Sequence, residues 1–350
     1  MNDIKIENVI IGENHKPFII AEMSGNHNKS LDRALAIVDA AAACGADAIK
    51  MQTYTADTIT IDVKGGLFDI TDNDSLWSGK NLYDLYKEAY TPWEWHEEIF
   101  NYAKGKGLIC FSTPFDETAV DFLENLGVGA YKVASFENTD WPLLKKIAST
   151  HKPVIMSTGI ATLSDIDESV RVIRNAGCKD LILLKCTSTY PATPENTHLL
   201  TIPHMRDMFH CHVGLSDHTM GIGAAIASVA LGAKVIEKHF TLSRADGGVD
   251  SAFSMEPSEM KALVVESKRA FLALGNVEYG IQTAEEKNVR FKRSIYVTRD
   301  IKEGDIFTNE NIKVIRPGDG LPSRYLNLIL GKKSRKNLHR GIPLTWDNLI

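Results

Sequence analysis

Two histidines, His218 in GLSDHT and His239 in VIEKHF, each close a short apolar run. Taken singly, either ring reads as a core or surface histidine. At the ends of neighbouring strands the two come within reach of one cation. Two imidazoles with water completing the shell suit a divalent ion of the Mn²⁺ or Mg²⁺ kind, and no thiolate sits beside them as in a zinc site. Such an ion polarises a carbonyl. A second group consists of Lys50, Lys132, Ser135, Ser157 and Ser216, again at the ends of apolar runs. One lysine there would read as a snorkelling surface residue. Two lysines with three serines read as a ring of donors for a dianion such as phosphate. Glu22, Gln52, Glu137, Ser188, Tyr190 and Glu237 fall at equivalent run ends. Successive side chains on a strand alternate in direction, so Lys50 shares a face with Gln52, and Glu237 with His239.

Elements that could gather these residues repeat along residues 1–280. The apolar runs are FIIAE (18–22), AIKMQ (48–52), LICFST (108–113), AYKVAS (130–135), PVIMST (153–158), LILLKCT (181–187), HVGLSD (212–217) and KVIEKH (234–239). Continuous runs of this kind mark strands buried on both faces, as in parallel sheets. The intervening stretches 30–45 and 162–177 open on a capping Ser or Thr, carry apolar residues at helical spacing and stop at Gly. Eight strand–helix units predict an α/β fold of the (β/α)8 TIM-barrel type, with active residues at the strand C-terminal ends. A doubly wound open sheet is the alternative, but AEMSGNHN after the first run is not a Gly-rich phosphate turn. The long crossover 53–107 is rich in aromatics and reads as a cover over the barrel mouth or a packed surface excursion.

Residues 281–290 read as a linker, followed by a small β-type domain over 291–350. From 281 onward there are 14 Lys+Arg against 8 Asp+Glu, while 1–280 carries 25 against 37. A basic piece after an acidic body points to docking on that body, its own or a partner's. No basic helix or interleaved aromatics suggest nucleic acid. No apolar run approaches the ~18 residues of a membrane span, and the charged N-terminus lacks a signal-peptide core, so the chain reads as cytoplasmic. Five scattered cysteines form no CxxC pair and read as buried reduced thiols; spacing supports neither Cys186 nor Cys211 as a nucleophile.

The ordered motifs AEMSGNHN, KMQTYTADT, STPFD, YKVASFEN, STGIAT, CTSTYPATPE, GLSDHTMGIG, VIEKHFTLSRADGGVDSAFS and KVIRPGDG resemble the sialic acid synthase family over nearly the whole chain. The resemblance implies a (β/α)8 TIM barrel followed by an antifreeze-like (SAF) domain, in a domain-swapped homodimer. It implies condensation of phosphoenolpyruvate with an N-acetylated amino sugar to a nine-carbon 2-keto acid and phosphate. By motif position, Lys50, Lys132, Ser135, Ser157 and Ser216 resemble phosphoenolpyruvate ligands. Ser188 stands where neuraminate members carry Asn, and a hydroxyl reaches less far. His218 and His239 match the metal ligands, and Glu22 the acid/base beside them. Gln52, Glu137, Tyr190 and Asp250 match sugar contacts, and Arg316 the arginine supplied by the partner subunit.

Phe136 and the loop RADGGVDSAFS depart from the neuraminate pattern and resemble the pseudaminate-forming branch. The implied acceptor is 2,4-diacetamido-2,4,6-trideoxy-L-altrose. Rival readings are a relative using N-acetylmannosamine or the legionaminate precursor, and a Schiff-base aldolase using Lys132 or Lys185. A third is a non-catalytic carbohydrate-binding protein, which would be expected to have lost Glu22, His218 or His239.

Overall fold

The structure, a computed structural model, describes residues 1–73 and 75–350. The chain divides into two compact units, Met1–Gly275 and Asn276–Ile350. The first opens with an antiparallel hairpin, β1 (Ile4–Ile6) and β2 (Val9–Ile11). Among the described residues, eight parallel strands then close a barrel. They are β3 (Phe18–Glu22), β4 (Ala48–Thr53), β5 (Ile109–Pro114), β6 (Tyr131–Val133), β7 (Val154–Ser157), β8 (Leu181–Cys186), β9 (His212–Ser216) and β10 (Val235–His239). Each expected run holds one of them, within about three residues at either end. β10 returns to pair with β3, placing Val235 beside Phe18 and His239 beside Glu22.

Local chemistry sets the helices between strands. The helix Leu31–Cys44 starts where Ser30 Oγ accepts from the Arg33 N–H at 3.2 Å, a cap that contributes about 1 kcal/mol. It stops at Gly45, whose φ of +82° is a left-handed conformation that costs glycine no Cβ clash. Thr162 and Asp165 cap the helix Leu163–Asn175 reciprocally. The long crossover folds into the helix Leu82–Ala89, capped by Asn81, before the helix His96–Gly105. Asn81 Nδ2 also donates to the Val63 and Phe68 carbonyls, drawing the loop into a compact shape.

Alternation sorts the strand residues into two layers. Ile19, Ala21, Ile49 and Met51 pack outward against helices, together with Ile37 and Val38. Phe18, Ile20, Ala48, Ile109, Phe111, Ile155, Ile182, Leu184 and Val235 fill the interior. The hairpin adds Ile4, Ile6 and Ile11 to that interior cluster, so the N-terminal end of the barrel is plugged by the chain's first residues. His212 Nε2 fastens the plug by donating to the Asn2 carbonyl at 2.8 Å. This hairpin was not foreseen from the sequence. Its three-residue strands are too short to show a period.

The second unit pairs β11 (Ser294–Val297) antiparallel to β12 (Ile312–Ile315) around a core of Ile295, Val297, Phe307, Ile312, Ile329 and Leu344. The stretch read as a linker contains a 3-10 helix, Thr283–Phe291. Among the described residues, no helix is long and apolar enough to cross a membrane.

Two fully buried histidines outside the strand ends set an acid limit on stability. His27 Nδ1 accepts from the Lys29 N–H at 3.1 Å while Nε2 faces Thr91 Oγ1 at 3.1 Å. His96 Nδ1 donates to the Pro92 carbonyl and Nε2 meets Thr53 Oγ1 at 2.8 Å. Burial lowers both rings from 6.5 to about 4. The unfolded chain therefore binds protons that the native state refuses between pH 6.5 and 4. Stability is complete above 6.5 and falls as pH drops through that window, by up to about 3 kcal/mol per histidine. Urea unfolding at pH 7.5 and 4.5 should show this loss, and His27→Gln should remove about half of it.

Candidate active site

Halfway up the barrel the interior changes character. Ile20 is followed inward by Glu22, Ala48 by Lys50, Ala130 by Lys132, Ile155 by Ser157, Gly214 by Ser216 and Val235 by Glu237. The hydrophobic plug thus carries a charged layer above it. Lys50 Nζ lies 2.5 Å from Glu22 Oε2 and 3.5 Å from Glu237 Oε1. Lys132 Nζ lies 3.8 Å from Glu237, and donates to Ser157 Oγ at 2.7 Å and to the Val133 carbonyl at 2.9 Å. All four charged side chains are buried.

Their titration follows from this spacing. Burial pushes Glu22 up to about 7 against the pull of Lys50. Burial also disfavours the charge of Glu237, but Lys132 and Lys50 outweigh it and hold that carboxyl below its usual range. Lys50 is kept above its ordinary value because two carboxylates overcome its burial. Lys132, with one more distant carboxylate, is lowered by burial.

Above this layer opens a cavity of about 420 Å³. Lys50, Gln52, Lys132, Ser135, Glu137, Ser157, Tyr190, Ser216, His218, His239 and Asp250 all line it. Eleven residues expected on sequence grounds therefore converge on one space. Its opposite wall comes from the long crossover: Tyr54, Ile59, Ile70, Trp77, Leu82 and Tyr86. Trp77 fastens this wall, its indole N–H donating to the Val249 carbonyl at 2.9 Å and its ring lying 5.6 Å from that of Tyr190. Burial raises Glu137 to about 7.

The His218 and His239 rings lie 5.3 Å apart between centroids, inclined by 64°. Tyr190 packs against His218 at 4.5 Å and Phe253 against His239 at 4.9 Å. His218 Nδ1 meets the Thr187 carbonyl at 2.9 Å, and the ring also bonds the Cys186 thiol; burial disfavours its charge, but Cys186, Thr187 and Glu237 outweigh burial and raise its pKa. His239 Nδ1 is buried and, among the described residues, has no hydrogen-bond partner; Asp250 Oδ2 is 4.0 Å away. Burial and the neighbouring His218 hold His239 neutral. A neutral, unpartnered imidazole beside a second one fits a divalent cation. Among the described residues no cluster of three or more His, Cys, Asp or Glu is arranged for a metal, so water or substrate would complete the shell.

Glu22, Ser188 and Arg316 are placed differently. Glu22 sits behind Lys50, fully buried, with Oε1 accepting the Ser24 N–H at 3.0 Å. Ser188 is set back beside Cys186 Sγ at 3.9 Å; a Cβ on Gly159 would meet its hydroxyl at 2.1 Å and that of Ser135 at 2.6 Å. Arg316 belongs to the second unit, directly after β12. Lys185 points away, donating to the Cys186 carbonyl and Thr187 Oγ1.

Sequence reasoning assigned no role to Glu237, although its alternation with His239 had already put it on the inner face. Cys186 was weighed only as a nucleophile, and the two histidines were expected to have no thiolate beside them. The structure corrects that expectation: Cys186 lines the cavity next to His218, and although burial pushes its thiol up, His218, Ser135 and Lys132 bring it down to about 6. Trp77 carried no signal beyond the aromatic richness of its segment.

The model of the NeuB family matches residues 37–279, and that of the SAF domain matches 292–350. The chain belongs to the NeuB family. Among its relatives, a pseudaminic acid synthase of Campylobacter jejuni subsp. jejuni serotype O:2 is 43% identical, covering 94% of this chain and 95% of its own. A pseudaminic acid synthase of Helicobacter pylori is 41% identical, covering 95% and 98%. The crystal structure of an N-acetylneuraminic acid synthetase from Leptospira borgpetersenii superposes with a TM-score of 0.72 at 31% identity, over 82% of this chain and 95% of that one. The NeuB barrel and the SAF domain here are thus an eight-stranded parallel cylinder and a small β unit, as the motifs implied.

Removing Glu237 from this NeuB-family site takes from Lys132 the carboxylate that lies 3.8 Å away. Glu237→Gln should lower the unfolding free energy by about 3 kcal/mol, the usual cost of breaking a buried ion pair on one side. Inorganic phosphate should restore stability more in the variant than in the wild type, because it supplies the missing negative charge. Urea titrations with and without phosphate measure both effects.

Proposed function

We propose that this protein condenses phosphoenolpyruvate with 2,4-diacetamido-2,4,6-trideoxy-L-altrose and water, giving pseudaminic acid and phosphate. Its membership of the NeuB family makes it a phosphoenolpyruvate-dependent nonulosonic acid synthase; the acceptor sugar and the metal are the proposed parts. One observation carries the reading: two buried lysines, already paired with carboxylates, face a cavity that also holds His218 and His239.

Lys50 and Lys132, with Ser135, Ser157 and Ser216, bind the phosphate and carboxylate of phosphoenolpyruvate in place of Glu22 and Glu237. Held there, the enol methylene faces the open cavity and the acceptor. A divalent ion on His218 and His239 would polarise the open-chain aldehyde. A bond forms between the methylene and the aldehyde carbon, and the aldehyde oxygen takes a proton. Water adds to the phosphate-bearing carbon and gives up a proton, which we assign to Glu22 beside Lys50. The carbon–oxygen bond to phosphate then breaks as the new hydroxyl becomes the ketone and passes its proton to the leaving phosphate, and the lysines stabilise the departing dianion. Gln52, Glu137, Tyr190 and Asp250 supply polar contacts for the sugar. The wall of Tyr54, Ile59, Ile70, Trp77, Leu82 and Tyr86, with Phe136 opposite, suits a C6 methyl and two acetamido methyls better than hydroxyls. The resemblance of the nearest motifs to pseudaminate-forming relatives supports the same acceptor.

A second copy of the chain is taken as the partner, its Arg316 reaching the sugar. Phe136, Ile160 and Met220, in loops after β6, β7 and β9, are 59%, 70% and 50% exposed, an apolar rim that such a partner would cover.

Phosphate release from phosphoenolpyruvate is expected to be fastest with the diacetamido altrose, ahead of N-acetylmannosamine and the legionaminate precursor. EDTA should abolish it and Mn²⁺ restore it. Equal turnover of the three sugars would remove the acceptor assignment, and full activity in EDTA would remove the metal. Arg316→Ala should raise KM for the sugar about tenfold, the loss of one charged hydrogen bond, without changing KM for phosphoenolpyruvate. An unaltered sugar KM would take Arg316 out of the site.

A further inference from the structure

Lys238 stands between Glu237 and His239 but faces the other way. Alternation sends its side chain out of the barrel interior, and it is 1% exposed. Its ammonium donates to Asp217 Oδ2 at 2.8 Å, to the Thr219 carbonyl at 2.6 Å and to the Gly221 carbonyl at 3.1 Å. All three of its donors are thereby used. Asp217 is also 1% exposed, and its other oxygen accepts from the Thr219 N–H at 2.9 Å and the Thr219 hydroxyl at 2.8 Å. Asp217 N in turn donates to the Glu237 carbonyl at 2.9 Å.

His218 lies between Asp217 and Thr219, the two residues gripped by Lys238. His239 is the next residue after Lys238. One buried ammonium therefore ties together the ends of β9 and β10, where the two imidazoles are mounted. Lys238 and Asp217 contribute nothing to the cavity lining. A buried ion pair adds little net stability compared with an apolar pair of like volume, so stability alone does not account for it.

We propose that Lys238, through Asp217 and the Thr219 and Gly221 carbonyls, is a positioning residue that fixes where His218 stands relative to His239 for a shared divalent cation. The inference rests on the metal reading above. Without the ammonium, the loop 217–221 keeps its backbone bonds, Asp217 N–H to the Glu237 carbonyl and Ala192 N–H to the His218 carbonyl, but loses the side-chain tether that joins Asp217, Thr219 and Gly221 to β10.

Lys238→Met alone leaves Asp217 buried and unpaired and can unfold the protein. The double variant Lys238→Met/Asp217→Asn removes both charges at nearly unchanged volume and keeps an oxygen for the Thr219 N–H and hydroxyl, which removes that penalty. Titration of Mn²⁺ followed by electron paramagnetic resonance should show the double variant binding about tenfold or more weakly, the range typical of residues that orient metal ligands. Calorimetric binding of phosphoenolpyruvate alone should change by less than about twofold, because of its five proposed ligands only Ser216 adjoins the altered loop, while Lys50, Lys132, Ser135 and Ser157 lie on or just after β4, β6 and β7. The ¹⁵N signals of the His218 ring should lose the pattern of a single fixed tautomer. A folded double variant with wild-type Mn²⁺ affinity and wild-type ring signals would overturn the proposal. If the wild type takes up no Mn²⁺ that depends on His218 and His239, the metal reading fails. The ring signals then decide the positioning role by themselves.

Discussion

Lys50 sits between two carboxylates, Glu22 and Glu237, at the depth where the barrel interior stops being apolar. Burying such charges singly would cost several kcal/mol each. Together, Glu22, Glu237, Lys50 and Lys132 are formally neutral, and the layer is tolerable only as a set. Glu237 bridges the two lysines, so it fixes their spacing. The hydrophobic plug below excludes water from one side, which strengthens every interaction above it. A substrate anion entering from the open side meets donors already held in place, and the reorganisation has been made during folding rather than during reaction.

This arrangement explains why the site was largely legible as a string of residues. Strands buried on both faces read as apolar runs, and a polar residue at the end of such a run is conspicuous. Strand alternation then says which of them share the interior, which is how Lys50 and Gln52, and Glu237 and His239, were grouped. What failed to show were contacts made across the chain. Nothing near Trp77 indicates that its indole reaches Val249, 172 residues on. Nothing near Ile4 or Ile6 indicates a plug. Ser188 follows the chain of its motif yet sits back from the cavity, because Gly159 and Cys186 decide how close it comes. Glu22 was read as facing the substrate. The structure puts it behind Lys50, paired to that ammonium and out of the cavity lining.

The two faces of β10 divide the labour at the site. Glu237 looks inward to the lysines and His239 to the His218 ring, while Lys238 looks outward and holds the neighbouring loop. Three adjacent ionisable residues at one strand end thus serve three different surroundings. The long crossover does the complementary work on the far side, where Asn81 gathers the loop and Trp77 fastens it to the segment that carries Asp250. Polar anchoring on one wall and apolar lining on the other give a cavity with a distinct orientation for a sugar that carries both kinds of group.

The pairing of Val235 with Phe18 has a consequence for how the chain comes into being. These partners are separated by more than two hundred residues, and the cylinder shuts only when the second of them is available. On a ribosome, β3 has to wait with an open edge until β10 has been synthesised and has left the exit tunnel. Long-range parallel pairing is slow and leaves sticky intermediates exposed. The nascent barrel therefore keeps one unpaired edge through almost its whole synthesis, a stretch in which that edge is open to other chains.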